Sequence, residues 1–362
     1  MSDRLFAATR KGLFEFRRRA AGAWDVARTS FLGSPVSMAL VDPRDGALYA
    51  ALDLGHFGCK LHRSDDGGAS WTEIAAPSYA GVEADGEDTP GPSLNLIWAL
   101  EAGGADEPGV LWAGTIPGGL FRSKDRGETW SLVRGLWDDP RRKTWFGGGY
   151  DKPGIHSVLV DPRDSKRIAV AISTGGVWES LDGGDSWTLG GEGLRAAYLP
   201  PEQAHDRVHQ DVHRMVRCAA EPDALWIQHH NGMFRATDGI GRWTELEPPV
   251  SAFGFAVAAH PRKPGTAWFV PAVKDEYRYP VDGKLVVNRT DDGGKTFTTL
   301  TRGLPQAHAY DLVYRHGLEA DDAGERLAMA STTGGLWLSE DGGDSWSAAP
   351  ARLPPVYAVR FA

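Results

Sequence analysis

Cysteine is nearly absent from this 362-residue chain: Cys59 and Cys218 are the only two. They fall in different units of the repeat described below, so a disulfide framework is not expected and reduced thiols are. No apolar run approaches the length of a membrane span, which sets membrane-spanning functions aside. The opening residues, Met1-Ser2-Asp3-Arg4-Leu5, carry no apolar signal segment and lead straight into a strand-like run. A cytoplasmic protein is the expectation. Positive charge is also scarce. Lys and Arg total 39 against 48 Asp and Glu, a net charge of −9, which argues against nucleic acid or an anionic membrane as the main partner.

Glycine and tryptophan are abundant instead, at 45 and 14 residues, and a repeat accounts for many of them. The pattern Ser/Thr-x-Asp-x-Gly-x-x-Trp/Phe occurs five times, at residues 64–71, 123–130, 180–187, 290–297 and 339–346. A worn copy at 236–243 keeps Asp238 and Trp243, and a fainter one ends at Trp24. The aromatic positions 24, 71, 130, 187, 243, 297 and 346 are 47 to 59 residues apart, the length of one four-stranded blade. Each full copy lies between two β-like runs, as a hairpin turn does. Ser/Thr and Asp oxygens can accept backbone N–H bonds inside such a turn, and Gly tolerates positive φ there. The Trp can then pack back over the turn. These residues are structural, not an active site.

The pattern resembles the Asp-box, or BNR, repeat of sialidases, two-domain xyloglucanases, sortilin-type receptor domains and photosystem assembly propellers. The resemblance covers essentially the whole chain and implies an all-β, seven-bladed β-propeller with Asp-box turns. It says little about activity, because those relatives do unrelated things.

Inner strands are expected at residues 36–41, 94–100, 155–160, 212–218, 254–259, 310–315 and 356–361. Seven inner strands match seven aromatic anchors. The chain begins on a second strand and ends on an inner one. The C-terminal strand is therefore expected to complete the N-terminal blade and close the ring, which removes sheet edges. One domain spans residues 1–362. Trp112, Trp178, Trp226, Trp268 and Trp337 fall in second or third strands and are expected to pack blade against blade.

The site is sought where loops are long, at residues 75–93, 134–154, 190–211 and 273–283, all on one predicted rim. An asymmetric wall of that kind frames a pocket over the central channel. Aligned inner strands place Ser37, Asn95, His156, His213, Phe255, Tyr310 and Tyr357 in one column near it. His229 and His230 end the second strand of the His213 blade, and His205, Asp206, His209 and Asp211 lead into that blade. His156, His213 and His229 together would suit a divalent transition metal such as Zn, Mn or Fe. Imidazoles serve equally as acid–base or anion-binding groups, or as hydrogen-bonded channel lining. Asp53 and Arg10 join His156 and His213 as catalytic candidates, because short loops hold them near the channel. His56, Asn95, His229, His230, Tyr310 and Tyr357 are candidate ligand-binding residues. The acids Glu83, Asp85, Glu87 and Asp88 read as solvated surface, and Arg141, Arg142 and Lys143 as a basic patch.

A sialidase proper is not expected: the chain lacks an Arg-Ile-Pro motif, and sialidase propellers have six blades. With one propeller read from the sequence, the two-propeller cleft of xyloglucanases is not expected, and no carboxylate pair stands out for glycoside hydrolysis. The reading is a cytoplasmic propeller that binds a small polar molecule, carbohydrate or acidic, over the channel. If an enzyme, it is a glycosyl-hydrolase-like hydrolase or a lyase. The alternative is a non-catalytic interaction or assembly scaffold with a protein partner.

Overall fold

A computed structural model describes residues 1–20, 22–83 and 91–362. Asp85, Glu87 and Asp88 of the acidic loop lie outside the described residues. The chain is an all-β, seven-bladed β-propeller: seven antiparallel sheets of four strands each. Among the described residues the only α-helix is the single turn Arg134–Trp137. No described helix is long and apolar enough to cross a membrane.

The repeated turn explains the regularity. In the copy between strands Cys59–Ser64 and Thr72–Ile74, Ser64 Oγ donates to Asp66 Oδ1 at 2.8 Å and accepts the Gly68 N–H at 2.7 Å. Asp66 accepts the Ser70 N–H at 2.9 Å and the Ser70 hydroxyl at 2.6 Å. The same bonds recur at Asp125, Asp182, Asp292 and Asp341. Gly68 has φ 88°, a left-handed conformation that Gly adopts without strain. The hydroxyl residue just before each aromatic (Ser70, Thr129, Ser186, Thr296, Ser345) belongs to the motif, although the sequence pattern leaves that position open.

Two compact units make up the chain. The first comprises Met1–Val36, Gly191–His205 and Val212–Ala362 and holds four blades. In one of them the C-terminal strand Val356–Phe361 pairs with Arg4–Thr9, with Leu5 opposite Phe361 and Ala7 opposite Val359. The expected closure is present, and the Ala362 N–H extends it to the Arg4 carbonyl at 3.0 Å. Trp226 and Trp268 are fully buried in the packing of this unit. The second unit, Ser37–Gly190 with Asp206–Asp211, holds three blades and buries Trp112 and Trp178 in one cluster. In both, second-strand or third-strand Trp side chains fill the space between sheets, where each covers about 200 Å².

Inner strands stand at Val36–Val41, Leu96–Ala102, Ile155–Asp161, Val212–Arg217, Gly254–Ala259 and Val356–Phe361, close to expectation. The remaining blade differs. Its inner strand is the short Leu318–Ala320, not residues 310–315. The Gly317 N–H bonds the Tyr314 carbonyl at 2.7 Å, and that turn interrupts the ladder. A Cβ at Gly317 would stand 2.6 Å from the Ala330 carbonyl oxygen, so only glycine allows the approach. Asp311 is held apart from the strand by the hydroxyls of Ser331, at 2.7 Å, and Thr333.

Candidate functional site

Five inner strands share a defect of register. Their pairing skips Trp98, His156, His213 and Tyr357 singly, and Phe255 together with Ala256. Each is a β-bulge, which turns a side chain out of the regular alternation and often borders a site. The sequence column placed His156, His213, Phe255 and Tyr357 correctly at the second strand position. It put Asn95 where Trp98 belongs: Asn95 is exposed and precedes its strand, its N–H bonding the Ile116 carbonyl at 2.8 Å. Tyr310 is 64% exposed beside the displaced strand.

In the four-blade unit the bulges build a cluster. The His213 imidazole lies on the Phe255 ring, with centroids 4.3 Å and planes 11° apart. His213 Nδ1 stands 2.6 Å from the Gly254 carbonyl oxygen. His230 meets His213 at 5.3 Å, Phe253 at 5.7 Å and Tyr198 at 5.2 Å, all edge-on. Two guanidiniums approach the same phenyl ring: Arg315 at 5.3 Å and Arg278 at 5.5 Å from its centroid. Arg315 is buried, delivered by the interrupted strand. Arg278 comes from the long hairpin and pairs with Asp275 at 2.6 Å. Burial opposes the Arg278 charge, but the Asp275 carboxylate and Tyr314 outweigh it and raise the pKa above the ordinary arginine value. The cluster is thus aromatic with two fixed positive charges.

His229 and His230 part company, as neighbours at a strand end do. His229 is buried against Phe234 at 5.5 Å and accepts the Asn231 N–H, whereas His230 joins His213. Arg10 is exposed, and its N–H bonds the Pro355 carbonyl at 2.9 Å.

The three-blade unit has its own smaller group. Trp98 stands edge-on to His156 at 5.4 Å and to Tyr150 at 5.1 Å. His156 is fully buried, with Nδ1 3.0 Å from the Ser157 hydroxyl. A Cβ at Gly148 would lie 2.9 Å from both Asp211 carboxylate oxygens. Asp53 ends strand Leu48–Asp53 and accepts the Gly55 N–H at 3.3 Å. Burial, with Asp53 adding its charge, pushes the nearby Cys59 thiol up to about 11. His56 is exposed and meets Phe57 at 3.8 Å between centroids, with the ring planes tilted 40°. The basic patch is absorbed locally: Arg141 pairs with Asp139 at 2.6 Å, and Arg142 lies over Trp137 at 4.0 Å.

Sequence reading missed Trp98, Tyr198, Phe253 and Arg315 as site residues. Only the Phe253-Gly254-Phe255 run, aromatics flanking a glycine on an inner strand, offered a signal.

Fold and cluster together define a β-propeller with a concentrated aromatic and basic group on one set of blades. No family model matches the chain. A xyloglucanase from a Paenibacillus species is 24% identical over 268 residues, covering 66% of this chain and 23% of that enzyme. The photosystem II assembly lipoprotein Ycf48 of a Synechococcus strain is 21% identical over 261 residues, 64% of this chain and 68% of the lipoprotein. The solved GH74 xyloglucanase of Xanthomonas campestris matches at a TM-score of 0.65 and 20% identity, covering 100% of this chain and 52% of that one. The chain spans less than a quarter of the curated xyloglucanases it matches. At this identity the structural likeness speaks for the fold.

Proposed function

We propose that this propeller binds a small acidic, sugar-like ligand at the cluster of the four-blade unit, in the manner of a glycosyl-hydrolase-like protein. The observation that carries the reading is the convergence of His213, Arg278 and Arg315 on Phe255. Aromatic faces suit the apolar face of a sugar ring, and guanidiniums suit a carboxylate or phosphate, which they grip with paired N–H donors. Two imidazoles alongside suit proton transfer or metal ligation, as hydrolase or lyase chemistry requires. The likeness to xyloglucanases supports a carbohydrate, although those enzymes are far longer than this chain.

A second reading, an assembly scaffold that takes a protein partner, is favoured by the likeness to the assembly lipoprotein. Thermal-shift screening separates the two. Uronic-acid oligosaccharides should raise the melting temperature more than neutral oligosaccharides of equal length. Equal shifts would remove the acidic ligand, and no shift with any sugar would turn the search to protein partners.

A further inference from the structure

His213 and His230 stand in a geometry that fits one metal ion. With Zn–N bonds of about 2.0–2.1 Å, two imidazoles on one tetrahedral ion have centroids about 5 Å apart. The observed spacing is 5.3 Å, with planes 74° apart. The hydrogen bond from His213 settles its tautomer. A carbonyl only accepts, so Nδ1 carries the proton toward Gly254, 2.6 Å away. In the neutral ring Nε2 then keeps the lone pair that a metal requires, and a backbone carbonyl behind Nδ1 is the usual support of a ligating histidine. Phe253, which is buried, flanks His230 with apolar surface.

One ring nitrogen of His213 and one of His230 lie within 4.8 Å of each other, close enough to share an ion.

We propose that His213 and His230 bind one divalent first-row transition metal. Two imidazoles leave coordination positions open for ligand oxygens. The inference deepens the ligand reading above and rests on it, since the ion would meet the ligand in the same cluster. It revises the ligand set expected from sequence, with His230 in the place of His229.

The test uses the metal alone, so its outcome does not depend on any sugar. Chelator-treated full-length protein is titrated with Zn²⁺ by calorimetry and with Co²⁺ by visible absorption, beside His230→Ala. Melting without metal confirms that the variant folds. The expected result is one ion per chain, with tetrahedral or five-coordinate Co²⁺ bands. His230→Ala should weaken binding beyond the roughly 10- to 100-fold that loss of an outer partner causes. Absence of binding, or unchanged binding in His230→Ala, would overturn the site and leave the two rings as an edge-to-face contact. Neither result touches binding of an acidic sugar, which is measured separately.

Discussion

The imidazole of His213 lies flat on the phenyl ring of Phe255, 4.3 Å between centroids, and both residues are bulged out of their inner strands. A bulge at the same place in two blades of one unit turns what would be alternating core positions into adjoining surfaces. Without either bulge the pair would not meet, and the two guanidiniums would have no shared ring to cover.

Phe255 therefore has two roles that substitution separates. It is 3% exposed, so Phe255→Ala should cost about 3–5 kcal/mol in a denaturant titration. Phe255→Leu keeps most of the volume and should cost less than about 1.5 kcal/mol. The leucine variant should nevertheless lose affinity for an acidic ligand, because the flat face under His213 and the arginines is gone. Full affinity in the leucine variant would show that the ring serves packing alone.

Among the described residues, strand Val356–Phe361 alone pairs with one edge of Arg4–Thr9. Removing residues 356–362 exposes that edge and takes away the buried Val356 and Val359. Those two valines alone are worth about 3–6 kcal/mol. The truncated protein should melt well below the intact one and aggregate through the open edge. A normal melting curve would contradict the closure.

The turn carboxylates set the acid limit. Hydroxyl and backbone donors of Ser186 hold the Asp182 carboxyl at about 2, below the usual 3.8, and Thr296 does the same for Asp292. A depressed folded-state value contributes stability that is present above about pH 4 and lost as pH falls toward about 2. Melting temperature should fall across that window, and Asp182→Asn should flatten the fall. Parallel curves for the two proteins would show that these carboxylates do not drive acid unfolding.

Ser180 tests the other half of the same turn. Its Oγ accepts the buried Gly184 N–H at 2.8 Å. Ser180→Ala leaves that donor unsatisfied and should cost about 1–3 kcal/mol by denaturant titration. No measurable loss would mean that the turn repacks to satisfy Gly184.

The fold was legible because the turn is local. Asp66 and Ser64 act on residues four positions away, so their spacing survives in sequence as a motif. The cluster was legible only in part, because bulges are set by register between strands and leave no spacing signal. His213 and Phe255 aligned correctly, but Trp98 was displaced by three positions in favour of Asn95. Arg315 was hidden for a related reason: the apolar residues 312–314 read as part of a strand, and the turn at Gly317 that breaks it depends on the tight approach of Ala330. The parting of His229 and His230 follows from strand alternation, but which of the two meets His213 depends on the bulge.

The most direct measurement is a calorimetric titration of the protein with a uronic-acid oligosaccharide, with its neutral counterpart, and with both on Arg278→Ala. Arg278 is 39% exposed on a hairpin, so its loss should leave the fold intact. Preference for the acidic ligand, falling at least tenfold in Arg278→Ala and weakening with salt, is the predicted result. Equal binding of both sugars, or undiminished binding by Arg278→Ala, would contradict an acidic-ligand site at this cluster.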